Sequence, residues 1–467
     1  MEGAIYNPST ERIVNGQRVR DPFMGCDGNT MNVICTDPNS PRYTPLDPVA
    51  LKIQSYIPLP EGPNQGNLTN NYLHTWTSPN IRWIPGFKID HNISARSKLA
   101  FFWSQTHVKQ VQAPGPPGGD GLPTPATTAR QTVQDSYIGH LSFDQTLTPT
   151  MVLHLGTGVQ NLIFQDPVRD GNFDQLKNLG LPGSLYDVFP FISGLSAARG
   201  GMSARSVGMP TGNMGPFIQT RSVMFKPAAN ASLTWVRQNH TYKFGGEARW
   251  EKYPTILYYP SYGAYNFSAE QTGLPSTLGQ NLSGGTVGFA YASFLLGLVA
   301  DGSTGVPIAP RLAKSAWSLF AQDTWKVTRR FTLDYGLRWD YQNYFRDMQG
   351  RVASFSPATA NPSAGGIPGA VIYEGSGAGH CNCDFARVYP FAFGPRLGAA
   401  YQISPKTVLR EGWGISSGQT AYESQTSWKV GANNPYYSPA YGSPAGLLRN
   451  GLPAPPPWPI YDAGLYP

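Results

Sequence analysis

Phe331-Thr332-Leu333-Asp334-Tyr335-Gly336-Leu337-Arg338-Trp339-Asp340-Tyr341 decides how this chain is read. Phe331, Leu333, Tyr335, Leu337, Trp339 and Tyr341 fall on one phase, and Thr332, Asp334, Gly336, Arg338 and Asp340 on the other. Successive side chains of a strand point to opposite sides, so a period of two predicts a strand with one apolar and one polar face. Upstream, Tyr242, Phe244, Gly246, Ala248 and Trp250 repeat the plan against Lys243, Gly245, Glu247, Arg249 and Glu251. Tyr137 to Phe143, Met151 to Leu155 and Leu397 to Ile403 follow it with more noise.

Five short polar joints, at 94–97, 148–150, 237–240, 328–330 and 404–406, each link two such runs. Between one pair and the next lie much longer stretches rich in Gly, Pro, Ser and Asn. Alternating tight joints with long connections puts every short turn at one end of the strands and every long loop at the other. A soluble sheet has no reason for that asymmetry. An all-β antiparallel transmembrane barrel does, with short periplasmic turns and long extracellular loops. The hairpins are placed at 84–108, 135–160, 220–252, 315–343 and 394–416 of a wall running over 84–420. Residues 1–83 read as an extracellular-loop-like segment, and 421–467 as a loop with a truncated C-terminus. Five hairpins make ten strands, or twelve with unrecognised ones.

Composition agrees. Charged residues are 13% of the 467, and aromatic residues 12%, with 52 Gly and 43 Pro. The charge share is about half the roughly 25% of soluble globular proteins. The most apolar run, Thr286 to Ala300, is too short for a spanning helix of roughly 20 residues, and is expected to lie buried or lipid-facing within the wall. The start, Met1-Glu2-Gly3-Ala4-Ile5-Tyr6, lacks the pattern of a signal peptide, so a fragment is expected. The net charge of +7 comes from scattered Lys and Arg with no cluster, which argues against nucleic acid.

Aromatic placement points to lipid rather than to a sandwich core. Trp317 and Trp325, Phe331 and Trp339, and Tyr242 and Trp250 are each eight residues apart on the apolar phase. Eight residues span about 26 Å, or roughly 20 Å along the normal at a tilt of about 40°. That is near the roughly 25 Å apolar band between aromatic girdles. The six aromatics are therefore girdle candidates. Lys243, Glu247, Arg249, Arg338 and Asp340, on the other phase, are lumen-facing candidates. Asp323 and Glu411 sit on the apolar phase and go against the pattern.

Cys26 with Cys35, and Cys381 with Cys383, are local pairs that could close disulfide loops in an oxidising compartment. A metal set at His380, Cys381, Cys383 and Asp384 lacks a known zinc spacing. No nucleophile elbow, Walker loop or His-Glu-x-x-His occurs. Glu247 and Glu251 could be a glycosidase-like pair, but are expected to pair with neighbouring Arg and Lys. No catalytic residue, enzyme activity or cofactor is assigned.

Phe320-Ala321-Gln322-Asp323-Thr324-Trp325-Lys326-Val327-Thr328, Leu333 to Trp339, Phe393-Gly394-Pro395-Arg396-Leu397-Gly398 and Thr407-Val408-Leu409-Arg410 occur in this order. Upstream stand Lys88-Ile89-Asp90-His91-Asn92-Ile93-Ser94 and Lys98-Leu99-Ala100-Phe101-Phe102. Together they resemble the barrel of TonB-dependent outer-membrane receptors, particularly the Oar-like, carboxypeptidase-regulatory-domain-bearing group. The resemblance implies a barrel of roughly 22 strands, a plug within it and a TonB-contacting box. It implies import of a ligand too large or scarce for porins: a carbohydrate, a peptide or a metal chelate. No plug, TonB box or regulatory domain precedes these motifs, so coupling to TonB requires that those parts be supplied. An open half-barrel would leave unpaired edges in lipid. The expected partner is outer-membrane lipid, and the expected location the bacterial outer membrane. A passive porin or adhesin-type barrel, and a secreted all-β carbohydrate-binding protein, are the alternatives.

Overall fold

The computed structural model describes residues 4–67, 71–72, 77–111, 122–127, 129, 131–166, 172–195, 213–216, 220–258, 260–277, 287–307, 309–418 and 433–455. Its main element is a wall of ten long antiparallel strands. These are β1 (Gly86–Ser94), β2 (Ser97–Val111), β3 (Gln131–Thr148), β4 (Met151–Gln165), β5 (Thr220–Arg237), β6 (His240–Leu257), β7 (Arg311–Lys326), β8 (Phe331–Gln342), β9 (Ala392–Ser404) and β10 (Thr407–Gly414). Each pairs with the next in sequence. Asn80–Trp83 and Arg346–Asp347 add short pairings to β2 and β7, completing a twelve-stranded sheet. Among the described residues β1 and β10 form the two edges. All five tight turns lie at one end, and every long connection leaves from the other.

Register carries the alternation across the sheet. Pro395, Leu337, Ala321, Phe244, Leu233 and Leu153 form one continuous cross-strand row. On the opposite face, Asp340, Ser318, Glu247, Asn230, Gly156, Ser142, Ala100 and Asp90 form another. A slip of one residue at any joint would exchange the two faces, so the pattern itself holds the register. From Leu99 on β2 round to Phe393 on β9, the apolar face between its aromatic rows carries no Lys or Arg. Its one carboxylate is Asp323. Among the described residues no second layer covers this face: Leu337 is 49% exposed and Leu319 60%. Side chains left so open lose the stabilisation of burial in water, but not against lipid chains. No helix among the described residues is long and apolar enough to cross a membrane.

The long-loop end holds a second structure. Helices α1 (Pro48–Gln54), α2 (Gln175–Leu179) and α3 (Ala290–Leu295) pack there with a five-stranded sheet of Asn433–Tyr437, Asp301–Gly305, Ala264–Asn266, Phe191–Ser193 and Asn213–Met214. One core joins Val49 and Ile53 of α1 to Leu179, Ile192, Phe267, Phe294 and Leu448, residues drawn from the N-terminal segment, two long loops and the segment after the wall. Asp47 caps α1 by accepting from the Val49 and Ala50 amides at 2.9 and 3.2 Å. The Asp47 amide in turn donates to the Leu295 carbonyl of α3 at 2.8 Å. Gly297 ends α3 at a φ of +70°, and a Cβ there would meet the Asp47 carboxylate at 2.4 Å. Arg20 fastens the N-terminal hairpin by donating to the Gln271, Gly273 and Gly442 carbonyls.

The run around α3 corrects the expectation that it lies within the wall. Its apolar residues are consecutive rather than alternating, and Phe294 is fully buried in the cap core. A sheet residue needs a lateral partner strand; this run instead closes its hydrogen bonds locally, as Ser293 N to Phe289 O and Leu296 N to Ala292 O.

Candidate functional site

The polar face gathers charge near the long-loop end. Glu247, Ser318 and Asp340 are cross-strand neighbours on β6, β7 and β8. Arg338, one step along the same face of β8, reaches all three. Its Nε lies 2.9 Å from Asp340, and its Nη2 donates to Ser318 Oγ at 2.8 Å and stands 3.7 Å from Glu247. Arg249 Nε lies 3.0 Å from Glu247 Oε1. With Arg396 these residues border an open cleft of ≈ 400 Å³.

A second cluster continues toward the loops. Glu251 lies 3.8 Å from both Lys226 and Lys314, and accepts from the Tyr253 hydroxyl at 2.5 Å. Lys314 is only 7% exposed and sits 4.5 Å over the Phe345 ring. The aromatic face compensates the ammonium where water is excluded. Both acids of the glycosidase-like pair are thus engaged by cations.

Four of the five lumen candidates, Glu247, Arg249, Arg338 and Asp340, come together in one network. Lys243 shares their face but lies further toward the turns, opposite Gln322 and Thr234. Ser318, Lys314, Lys226 and Arg396 were not singled out from sequence. Carrying the polar phase of β7 back through Ala316 to Lys314 would have found two of them.

The six girdle candidates lie on the opposite face in two tiers. Tyr242, Trp325 and Phe331 stand near the turns, and Trp250, Trp317 and Trp339 toward the loops. Trp250 meets Trp317 edge-on at 5.3 Å, and Trp339 Nε1 donates to the Pro390 carbonyl at 2.7 Å. Asp323 is 4% exposed; its Oδ2 lies 2.6 Å from His240 Nδ1 and accepts from the Tyr335 hydroxyl at 2.8 Å. The His240 ring is stacked between Tyr242 at 5.4 Å and Trp325 at 5.3 Å. Glu411 faces the same way on the edge strand β10, opposite Ala399.

Cys26 and Cys35 are bonded, as are Cys381 and Cys383, each pair with sulfurs 1.99 Å apart. Asp384 is paired with Arg346 at 2.8 Å, and His380 Nε2 faces the Gly350 carbonyl at 3.2 Å. Bonded sulfurs offer no thiolate to a metal. Among the described residues no cluster of three or more His, Cys, Asp or Glu is placed to hold one.

No curated protein matches the chain. Among solved structures, the outer membrane transporter YddB from Escherichia coli is similar over 71% of this chain and 39% of its own, at 14% identity and a TM-score of 0.37. For the copper transporter OprC the values are 76%, 38%, 10% and 0.38. For the ferric yersiniabactin uptake receptor FyuA from Yersinia pestis they are 70%, 36%, 10% and 0.34. The chain therefore spans less than two fifths of the length of these structures. The family model of the outer membrane beta barrel domain matches residues 1–464. A two-faced antiparallel wall with short turns at one end and long loops at the other is what that family requires, and the chain belongs to it as a protein of the bacterial outer membrane.

Proposed function

We propose that this chain forms part of the barrel of a TonB-dependent receptor of the Oar-like group, and that its polar face lines a lumen through which a scarce or bulky ligand is imported. One observation carries the reading. The charged cleft around Arg338 opens at the end where the long loops pack into a cap, which is where an external ligand arrives. Cations outnumber acids in the combined network: Lys226, Arg249, Lys314, Arg338 and Arg396 against Glu247, Glu251 and Asp340. That surplus favours an anionic metal chelate, acidic peptide or acidic sugar over a neutral one. The aromatic tiers face lipid, and energy coupling would run through a plug and a TonB box.

The test is uptake by cells expressing the chain in its native genomic setting. Deletion should abolish accumulation of one anionic ligand class, and collapse of the proton-motive force should do the same. Accumulation that survives collapse of that force would replace this reading with a passive porin. Recovery of the protein in the soluble fraction, unshifted by heating on gels, would overturn both.

A further inference from the structure

Beyond the upper aromatic tier, the apolar face changes character. Lys252 follows Trp250 by two residues on β6, and Arg311 precedes Trp317 by six on β7. Both point to the face of the tryptophans, since Lys252 opposes Ala313 and Arg311 opposes Pro254 in an unbroken register. Further round, Arg221 on β5 and Lys109 on β2 lie in one cross-strand row with Gln165 and Val133 between them. All four cations are exposed. Among the described residues none of the four is in an ion pair, in contrast to Arg346 nearby, which holds Asp384. Asp135, the acid of the adjoining row, is occupied by His107 at 2.7 Å.

The same face between the aromatic tiers has no Lys or Arg, so these cations mark a boundary. They stand beyond the upper aromatic tier on the long-loop side, and in an outer-membrane barrel such a tier marks the level where the headgroups begin. Lys252 and Arg311 are diagonal neighbours about 7–8 Å apart, close enough for both side chains to hold one phosphate. A row facing bulk water would have no reason to follow the aromatic tier so closely, and the one acid of the Arg311 row among the described residues, Asp135, is held by a histidine rather than by any of these cations.

We infer that Lys109, Arg221, Lys252 and Arg311 form a belt that binds the phosphate groups of an anionic lipid in the outer leaflet, with Lys252 and Arg311 as its principal clamp. Arginine supplies a bidentate fork to a phosphate and lysine a mobile point charge, and the apolar stem of each lies along the acyl region. The belt depends on the chain's place in the outer membrane, and would stand if the import reading failed.

The test uses the full chain extracted from outer membranes, with native mass spectrometry reading retained lipid. Wild type should retain diphosphoryl lipid A at least tenfold better than its dephosphorylated form. The doubly substituted Lys252→Gln, Arg311→Gln protein should lose about tenfold in that retention. Arg410→Gln, which removes one charge from the polar face of β10, should retain it as wild type does. The wild-type comparison needs no variant to fold: equal retention of the two lipids would overturn the inference by itself. Equal loss in Arg410→Gln would reduce the effect to net charge. Displacement of the lipid by millimolar inorganic phosphate would assign the clamp to a dissolved anion instead.

Discussion

Asp323 and His240 form a carboxylate–imidazole pair, Oδ2 to Nδ1 at 2.6 Å, on the face of the wall whose stretch between the aromatic rows, from β2 to β9, otherwise carries no Lys, Arg, Asp or Glu. The pair sits at the turn end, roofed by Tyr242 and Trp325 and bridged to β8 by the Tyr335 hydroxyl. An acid on a lipid-facing surface is costly by itself. Here three strands are tied by it: β6 through His240, β7 through Asp323 and β8 through Tyr335.

Asp323→Ala leaves both partners without their acceptor, at a cost of about 1–3 kcal/mol. The urea midpoint of the heat-modifiable form, measured on isolated outer membranes, should fall accordingly. Asp323→Asn, which keeps an acceptor oxygen, should lose less. Equal midpoints for all three proteins would show that the triad holds nothing together.

The two faces predict opposite responses to one substitution. Leu337→Arg places a cation in the middle of the apolar face, at about 2–4 kcal/mol if that face meets the bilayer midplane. Gln322→Arg, on the other face of neighbouring β7, should be tolerated. The fraction of each protein in the heat-modifiable band measures this, and equal fractions would contradict the assignment of faces.

The cap core predicts a local rather than a global loss. Phe294 is fully buried between Phe267 and Tyr291, with ring centroids at 5.2 and 5.5 Å. Phe294→Ala should cost the cap about 3–5 kcal/mol. Protease added to intact cells should then cut within 258–310 much faster, while the wall keeps its heat-modifiable migration. Unaltered cleavage would mean that the cap does not depend on this core.

Glu374 gives the loop side a pH dependence. Burial holds its carboxyl above the ordinary value of 4.5, against the opposing pull of Arg346 3.9 Å away. A group whose folded value is raised contributes stability that is complete below 4.5 and disappears as pH rises through the folded value. Glu374 follows directly on the hairpin of Ala353–Asn361 and Ile367–Tyr373. Amide protection of that hairpin, corrected for intrinsic exchange, should therefore decline as pH rises through that range. In Glu374→Gln it should stay level.

The wall was legible because a strand's pattern is local. Six apolar residues in phase between 331 and 341 specify a face without knowledge of any neighbour, and a three-residue joint specifies the next strand. The charged cleft was half legible. Its members could be assigned to a face from parity, but their grouping depends on register across β6, β7 and β8, which brings Glu247 level with Asp340 and leaves Lys243 apart. The cap was not legible. Val49, Ile192, Phe294 and Leu448 are separated by long stretches of sequence, and none has a periodic neighbour to announce it; the apolar clusters in supposed loops were the only sign.

The sequence by itself determined that this protein is a wall with two unlike faces, short turns at one end and long loops at the other, because side-chain parity and joint length are properties of adjacent residues. Tertiary structure alone decided that Asp323 meets a histidine 83 residues away in sequence, that one arginine gathers the cleft, and that the loops share a core. Those outcomes depend on distances between segments, and a chain read in order holds no distances beyond its nearest turns.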